Sequence, residues 1–106
     1  MAKYFFHGSY TQSGIAGLLK DGGTGRRKAV EALAESLGGG VESMYWGFGK
    51  DDFYLTCDLP DHAAAVALTA STAVSGKVTI STVVLLTAED MDEAITRHPS
   101  YRSPGT

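Results

Sequence analysis

A strict alternation near the middle of the chain is the feature that most constrains its fold. Residues 53–59, with the sequence FYLTCDL, carry an apolar or sulfur-containing side chain at every second position. A β-strand has a period of two, so this pattern predicts a strand with one face in a core. The aromatic-rich run Val41 to Phe48 predicts a strand just before it, and Gly49-Lys50-Asp51 forms a tight turn between the two. The chain therefore builds a sheet around an antiparallel hairpin.

The part of the chain before the hairpin predicts one strand and two helical pieces. The aromatic run Lys3 to Tyr10 predicts the strand. Thr11 is a predicted N-cap for a short helix over Gln12 to Lys20, and the segment Asp21 to Gly25 breaks that helix. A second helix is expected from an N-cap at Thr24, with Val30, Leu33 and Leu37 on one side and Gly38 as its stop.

The part after the hairpin predicts a helix, a strand and a last short helix. An alanine-rich helix spans Asp61 to Ser75 and ends at Gly76. The β-branched run Lys77 to Leu86 predicts the last strand. Thr87 and Asp90 resemble a capping box for a helix that runs to about Arg97. Residues 98–106 form a tail without periodicity.

The order of these elements predicts a single α+β domain over residues 1–106. A β-α-β-β-α-β order is ferredoxin-like: an antiparallel four-stranded sheet carries two helices on one face, here followed by a C-terminal helix. Val83 to Leu86 are apolar on both sides of the last strand, and Tyr54 lies on the face away from the helices. Because the chain has no residues left to cover that second face, we expect a homodimer, or a higher assembly built on it.

Composition excludes several classes of partner. The net charge of −3 argues against a nucleic-acid-binding surface. No apolar run approaches the length of a membrane span, and no signal peptide is apparent. One cysteine permits no internal disulfide, which fits a reducing compartment, and we expect a cytoplasmic protein.

The chain resembles the GYD-domain family over nearly its whole length. The segments that carry the resemblance are Tyr10-Thr11-Gln12-Ser13-Gly14, Gly22-Gly23 with Arg26-Arg27, Leu37-Gly38-Gly39, Phe48-Gly49-Lys50-Asp51-Asp52, Leu59-Pro60-Asp61 and Tyr101-Arg102-Ser103-Pro104-Gly105. The resemblance implies a dimeric α+β barrel, an architecture shared with cofactor-free monooxygenases, lactone isomerases and stress-responsive barrel proteins. Gly49 and Asp52 match the Gly-Tyr-Asp cluster that names the family, but Asp51 stands in place of its tyrosine, so no role of that tyrosine carries over. A fold does not fix a reaction, and the resemblance implies none.

The cleft between sheet and helices, near the hairpin, is the predicted ligand site. Tyr10, Tyr45 and Trp46 are its aromatic candidates, and the alternative is that they fill the core or a dimer contact. Asp52 is a candidate to anchor a polar ligand group or to act as a base, although an aspartate in a turn also bonds nearby backbone N–H groups. His7 is a candidate for proton exchange near neutral pH, and its alternative is a structural role.

A second, weaker candidate is the basic segment after Gly22. Arg26 and Arg27 lie in the first turn of a predicted helix, where a bound anion would relieve their conflict with the helix dipole. The alternative is that both are solvated, with Arg27 offset by Glu31. Cys57 is expected to be a buried small hydrophobe, because it lies in the apolar alternation. We expect no metal site and no cofactor, since His7, His62 and His98 have no ligand spacing.

Three functional hypotheses remain open at this point. The first is a dimeric small-ligand-binding or stress-associated module without turnover, favoured because no recognisable catalytic set is present. The second is a cofactor-free oxygenase or isomerase that acts on a small aromatic or lactone substrate and uses His7 and Asp52. The third is a structural protein that only assembles. An open cleft with convergent polar residues favours the enzyme, an apolar cleft favours binding, and a filled core favours assembly.

Overall fold

The computed structural model describes all 106 residues and has the predicted ferredoxin-like α+β architecture. The elements follow in the order β1 (Ala2–Tyr10), α1 (Gln12–Ser36), β2 (Gly40–Trp46), β3 (Phe53–Leu59), α2 (His62–Ala73), β4 (Val78–Leu85) and α3 (Ala88–Ile95). The four strands form one antiparallel sheet in the order β2-β3-β1-β4. The two central strands are therefore β3 and β1.

Alternation along β3 and β1 decides which side of the sheet receives the helices. In β3, the residues at 53, 55, 57 and 59 are all buried, as the sequence predicts. In β1, Tyr4 and Phe6 are almost fully buried, whereas Phe5 and His7, which alternate with them, are only half-buried. Helices α1 and α2 pack on the buried side. We call the other side, which includes Phe5, His7, Tyr45, Tyr54 and Val83, the open face.

Helix α1 consists of two helical stretches that meet at a kink, in agreement with the two predicted helical pieces. It spans Gln12–Ser36, and Gly22 inside it has non-helical backbone angles (φ 75°, ψ 167°). The predicted break therefore exists, but it is a kink at one residue, and it needs a glycine because φ lies in the left-handed region. Thr24 lies inside the helix, so the expected N-cap at Thr24 is wrong.

The other ends of the helices agree with the sequence to within a few residues. Thr11 caps α1 by accepting a hydrogen bond from the backbone N–H of Gly14, and Asp61 caps α2 in the same way through Ala64. Thr87 and Asp90 form the expected capping box at α3. Gly76, with φ 71°, ends the α2 region as predicted.

The C-terminal segment stands away from the core. Every residue from 86 to 106 is exposed, and α3 has no buried residue. The radius of gyration is 16.8 Å, whereas a compact domain of this length has one of about 13 Å. Tyr101 is 77% exposed, so it does not pack on its own chain.

Candidate functional site

A cavity of about 370 Å³ lies between the sheet and the two helices. Its walls are mostly apolar, with Leu18 and Leu33 from α1, Leu68 from α2, and Leu55 and Ile80 from the sheet. Its volume is within the range of small-molecule sites, about 300–1,000 Å³, at the small end. Protein interiors are normally filled to crystal-like density, so a cavity of this size in a small domain is a distinct feature of the fold.

Two glycines on the inner side of α1 shape one wall of the cavity. Gly14 lets the helix approach the chain before β4 closely, because a Cβ built there would lie 1.9 Å from the Lys77 carbonyl oxygen. Gly17, one turn later, also lines the cavity, but a Cβ built there meets nothing within 4 Å. The helix is thus held against the sheet at Gly14 and leaves open space beside Gly17.

Polar side chains mark the opening of the cavity. Among its lining residues, Asp21, Ser71, Ser75 and Lys77 are exposed, and Arg26 is partly exposed. Arg26 Nη1 lies 3.8 Å from Asp21 Oδ2, too far for a hydrogen bond. No carboxylate lies within ion-pair distance of Lys77. The opening therefore carries two cations and one carboxylate, with little direct pairing between them.

Three of the predicted site residues meet at the end of β1. Tyr10 lines the cavity, and its hydroxyl accepts a hydrogen bond from Trp46 Nε1 at 2.9 Å. Asp52 Oδ2 accepts a hydrogen bond of 2.8 Å from the backbone N–H of Tyr10. The Asp52 backbone N–H in turn donates to the Gly8 carbonyl at 2.7 Å. Asp52 therefore ties the hairpin to β1, and neither Asp52 nor Trp46 lines the cavity.

His7 lies on the open face, on the other side of the sheet from the cavity. Its Nδ1–H donates to Asp51 Oδ2 at 2.8 Å, and its ring stacks on Phe5 with centroids 5.4 Å apart. Asp51 and Asp52 thus point to opposite faces of the sheet, as adjacent residues of an extended chain are expected to. Tyr45 also lies on the open face, opposite Tyr54, and is 69% exposed.

The two arginines of the basic segment have different surroundings. Arg26 lines the cavity, whereas Arg27 lies 3.8 Å from Glu31 one turn along the helix and does not line it. The sequence predicts a ligand near the hairpin and away from this segment. The structure joins the two places, because the single cavity reaches from Tyr10 and Phe53 to Arg26.

Sequence reasoning missed several cavity residues on α2 and β4. Leu68, Ser71, Thr72 and Ser75 share one side of α2 and its C-terminal turn, at the spacing of three to four residues that marks a helix face. That spacing was the available signal in an otherwise alanine-rich helix. Lys77 gave no signal, because only the approach of α1 to the start of β4 brings it to the opening.

The remaining chemistry-bearing residues are engaged elsewhere or scattered. Cys57 is fully buried, as predicted, and burial raises the pKa of its thiol to about 11, with a smaller contribution from the charge of Asp58. His62 Nδ1 is hydrogen-bonded to the Tyr4 hydroxyl at 2.7 Å. No three His, Cys, Asp or Glu side chains lie close enough together to hold a metal ion. No helix has the length and apolar character required to cross a membrane.

Comparison with known proteins returned one result. The family model described as GYD domain matches residues 4–95. No curated protein and no solved structure matches the chain. The match begins within β1, covers the other three strands and all three helices, and includes every residue that lines the cavity.

Proposed function

The chain belongs to the GYD-domain family, and we propose that it is a small-ligand-binding module whose ligand occupies the cavity between the sheet and the helices. The observation that carries this proposal is the cavity itself. It lies between the sheet and the helices, its walls are mostly apolar, and a few polar side chains stand at its opening. A concave, mainly apolar site with a small number of polar groups is the usual form of a small-molecule binding site.

The positions of His7 and Asp52 favour binding over catalysis. A cofactor-free oxygenase or isomerase at this cavity would need a proton-transferring group within hydrogen-bond reach of its substrate. His7 is on the opposite face of the sheet, and the Asp52 carboxylate is held by the Tyr10 backbone. A purely structural role is also disfavoured, because the core between sheet and helices is not filled by side chains.

A neutral apolar fluorophore tests the proposal. N-phenyl-1-naphthylamine is expected to bind the protein saturably, with one molecule per chain and a rise in fluorescence. In the variant Gly17→Leu the new side chain extends into the open space beside α1, so binding is expected to be lost while the fold remains. Ala16→Leu adds the same side chain at a neighbouring exposed position outside the cavity, and it should bind like the parent protein.

Two results would overturn the proposal. One is the absence of saturable binding to the parent protein. The other is equal binding to Gly17→Leu once circular dichroism has shown that the variant is folded, because the fluorophore would then occupy a different place.

We further propose that the protein is a homodimer that pairs through the open face. Tyr45 and Val83 are 69% and 41% exposed there, beside the half-buried rings of Phe5 and Tyr54. A core of only 12 buried residues is small for 106 residues, and pairing of two chains would remove more apolar surface from water. The exposed apolar side chains of the C-terminal segment, such as Met91 and Ile95, are available to pack on the partner.

Matched charge substitutions test the dimer. Val83→Glu places a carboxylate on the open face and is expected to give a monomer in sedimentation equilibrium at micromolar concentration. Val66 is also exposed, at 62%, but lies on α2 away from that face, so Val66→Glu should leave the dimer intact. A monomeric parent protein, or dissociation by both substitutions alike, would contradict pairing through the open face.

A further inference from the structure

We infer that the ligand of this cavity is an amphiphilic acid, with an apolar body among the aliphatic walls and an anionic head group at the opening beside Arg26 and Lys77. This inference rests on the proposed function and adds the chemical class of the ligand. It predicts that charge, and not only size and hydrophobicity, decides what the cavity binds.

The walls set the nature of the ligand body. The residues that line the interior part of the cavity are aliphatic or aromatic and include Leu18, Leu33, Leu55 and Leu68. A polar group placed among them would lose its water without gaining a partner. The cavity volume of about 370 Å³ lies at the small end of the range of small-molecule sites. A medium-chain aliphatic or small aromatic body meets both requirements.

The charges at the opening set the nature of the head group. Arg26 and Lys77 line the cavity together with one carboxylate, that of Asp21, so the opening is net positive although the whole chain carries −3. The Arg26 guanidinium reaches Asp21 only at 3.8 Å, and Lys77 has no carboxylate within 4 Å. Both cations therefore retain hydrogen-bond donors for a carboxylate, which an arginine can bind with two parallel bonds.

Tyr10 adds a neutral donor to the same cavity. Its hydroxyl already accepts the Trp46 indole N–H at 2.9 Å, and no protein acceptor takes its own proton. The hydroxyl therefore retains a proton that it can donate to an acceptor oxygen of a ligand. Arg26, Lys77 and Tyr10 thus favour a ligand that accepts hydrogen bonds and carries negative charge. The hydroxyls of Ser71, Thr72 and Ser75 donate to helix carbonyls and leave only acceptor oxygens.

Arg26 and Arg27 provide a matched pair of variants. They are adjacent, carry the same charge and each lie 3.8 Å from one carboxylate, Asp21 for Arg26 and Glu31 for Arg27, but only Arg26 lines the cavity. Replacement of either by glutamine changes the net charge of the protein by the same amount. A difference between the two variants therefore reports contact with the ligand rather than general surface electrostatics.

The experiment compares three eight-carbon probes that differ only in the head group. Octanoate, 1-octanol and octylamine are used at neutral pH to displace N-phenyl-1-naphthylamine from the parent protein and from each variant. Octanoate is expected to compete about ten-fold better than 1-octanol, since hydrogen bonds to charged groups contribute about 1.5 kcal/mol or more. Octylamine should compete least. In Arg26→Gln the preference for octanoate should fall about ten-fold while 1-octanol competes unchanged, and Arg27→Gln should behave like the parent protein.

The outcomes separate this inference from the proposed function. If 1-octanol competes as well as octanoate, the cavity binds ligands, but the inference that its ligand is an acid is wrong. If Arg27→Gln loses the preference as much as Arg26→Gln does, the effect is one of surface charge, and the inference is overturned. If the fluorophore does not bind the parent protein at all, the proposed function fails, and the inference fails with it.

Discussion

Gly14 is the residue whose substitution tests most directly how α1 is held against the sheet. A Cβ at Gly14 would lie 1.9 Å from the Lys77 carbonyl oxygen and 2.9 Å from the Lys77 carbonyl carbon. Ordinary contact begins at about 3.4 Å, so Gly14→Ala requires the two backbones to separate by about 1.5 Å. Alanine is otherwise the better helix former, by about 1 kcal/mol. At this position the clash therefore lowers the free energy of unfolding, whereas the higher helix propensity of alanine raises it.

The clash is expected to outweigh the propensity, because the start of α1 is fastened at the same place. The Thr11 backbone N–H donates to the Lys77 carbonyl at 2.9 Å, and the Thr11 hydroxyl donates to the Gly76 carbonyl at 2.9 Å. The helix cannot move away from Lys77 without loss of these hydrogen bonds, each of which contributes about 1 kcal/mol. Overpacking costs about 1–3 kcal/mol in addition. After the gain in propensity is subtracted, Gly14→Ala should destabilise the protein by about 2–4 kcal/mol.

Gly17→Ala is the matched control on the same helix. A Cβ at Gly17 meets nothing within 4 Å, so only the propensity term acts, and the variant should be more stable by up to about 1 kcal/mol. Urea unfolding followed by circular dichroism, at one protein concentration, measures both effects. In thermal unfolding Gly14→Ala should lower Tm by roughly 10 °C. If Gly14→Ala is as stable as Gly17→Ala, the close approach at Lys77 is not a constraint and the reasoning is refuted.

Three further predictions concern single side chains. Asp52→Ala removes the acceptor of the Tyr10 backbone N–H and should cost about 1–3 kcal/mol in urea unfolding, whereas an unchanged stability would show that the carboxylate does not hold the hairpin. Leu68→Ala should lower the free energy of unfolding by about 2–5 kcal/mol, because Leu68 is only 1% exposed. A smaller loss in the same urea assay would show that the cavity collapses around the smaller side chain. Burial raises the pKa of the Cys57 thiol from 9.0 to about 11. As the pH rises from 9 to 11 the thiol therefore ionises more readily in the unfolded chain, and the free energy of unfolding should fall. The fall should be larger than in Cys57→Ala, which has no thiol. A thiol reagent should also label the native protein at pH 8 only as fast as it unfolds, and rapid labelling would contradict the burial of Cys57.

The order and type of the elements follow from local patterns, and the sequence predicts them well. The alternation at residues 53–59 requires a half-buried strand in any fold, and the caps at Thr11, Asp61 and Thr87 depend on residues three positions away at most. The kink in α1 shows where such local reasoning loses accuracy. Four glycine and threonine residues in succession predict a break of several residues, but non-helical backbone angles occur only at Gly22.

The candidate site depends on contacts between residues distant in sequence, and here the prediction was incomplete. Asp51 and Asp52 were expected to diverge, but only the pairing of β1 with β3 shows that Asp51 meets His7 and that Asp52 meets the Tyr10 backbone. Pairing of the strands also places His7 on the face opposite the cavity. A period-two pattern indicates that neighbouring residues face opposite sides of the sheet, but it does not indicate which side the helices cover.

By itself the sequence determined the element order, the antiparallel sheet and the burial of Cys57, because each of these follows from periodicity, capping and β-propensity over a few consecutive residues. Only the tertiary structure decided that Arg26, Lys77 and Tyr10 line one cavity while Arg27 and Trp46 do not. Those residues come from the kinked part of α1, the start of β4 and the end of β1. The close approach of α1 to Lys77 at Gly14 brings them together, and this distance depends on the packing of whole elements, which no local pattern encodes.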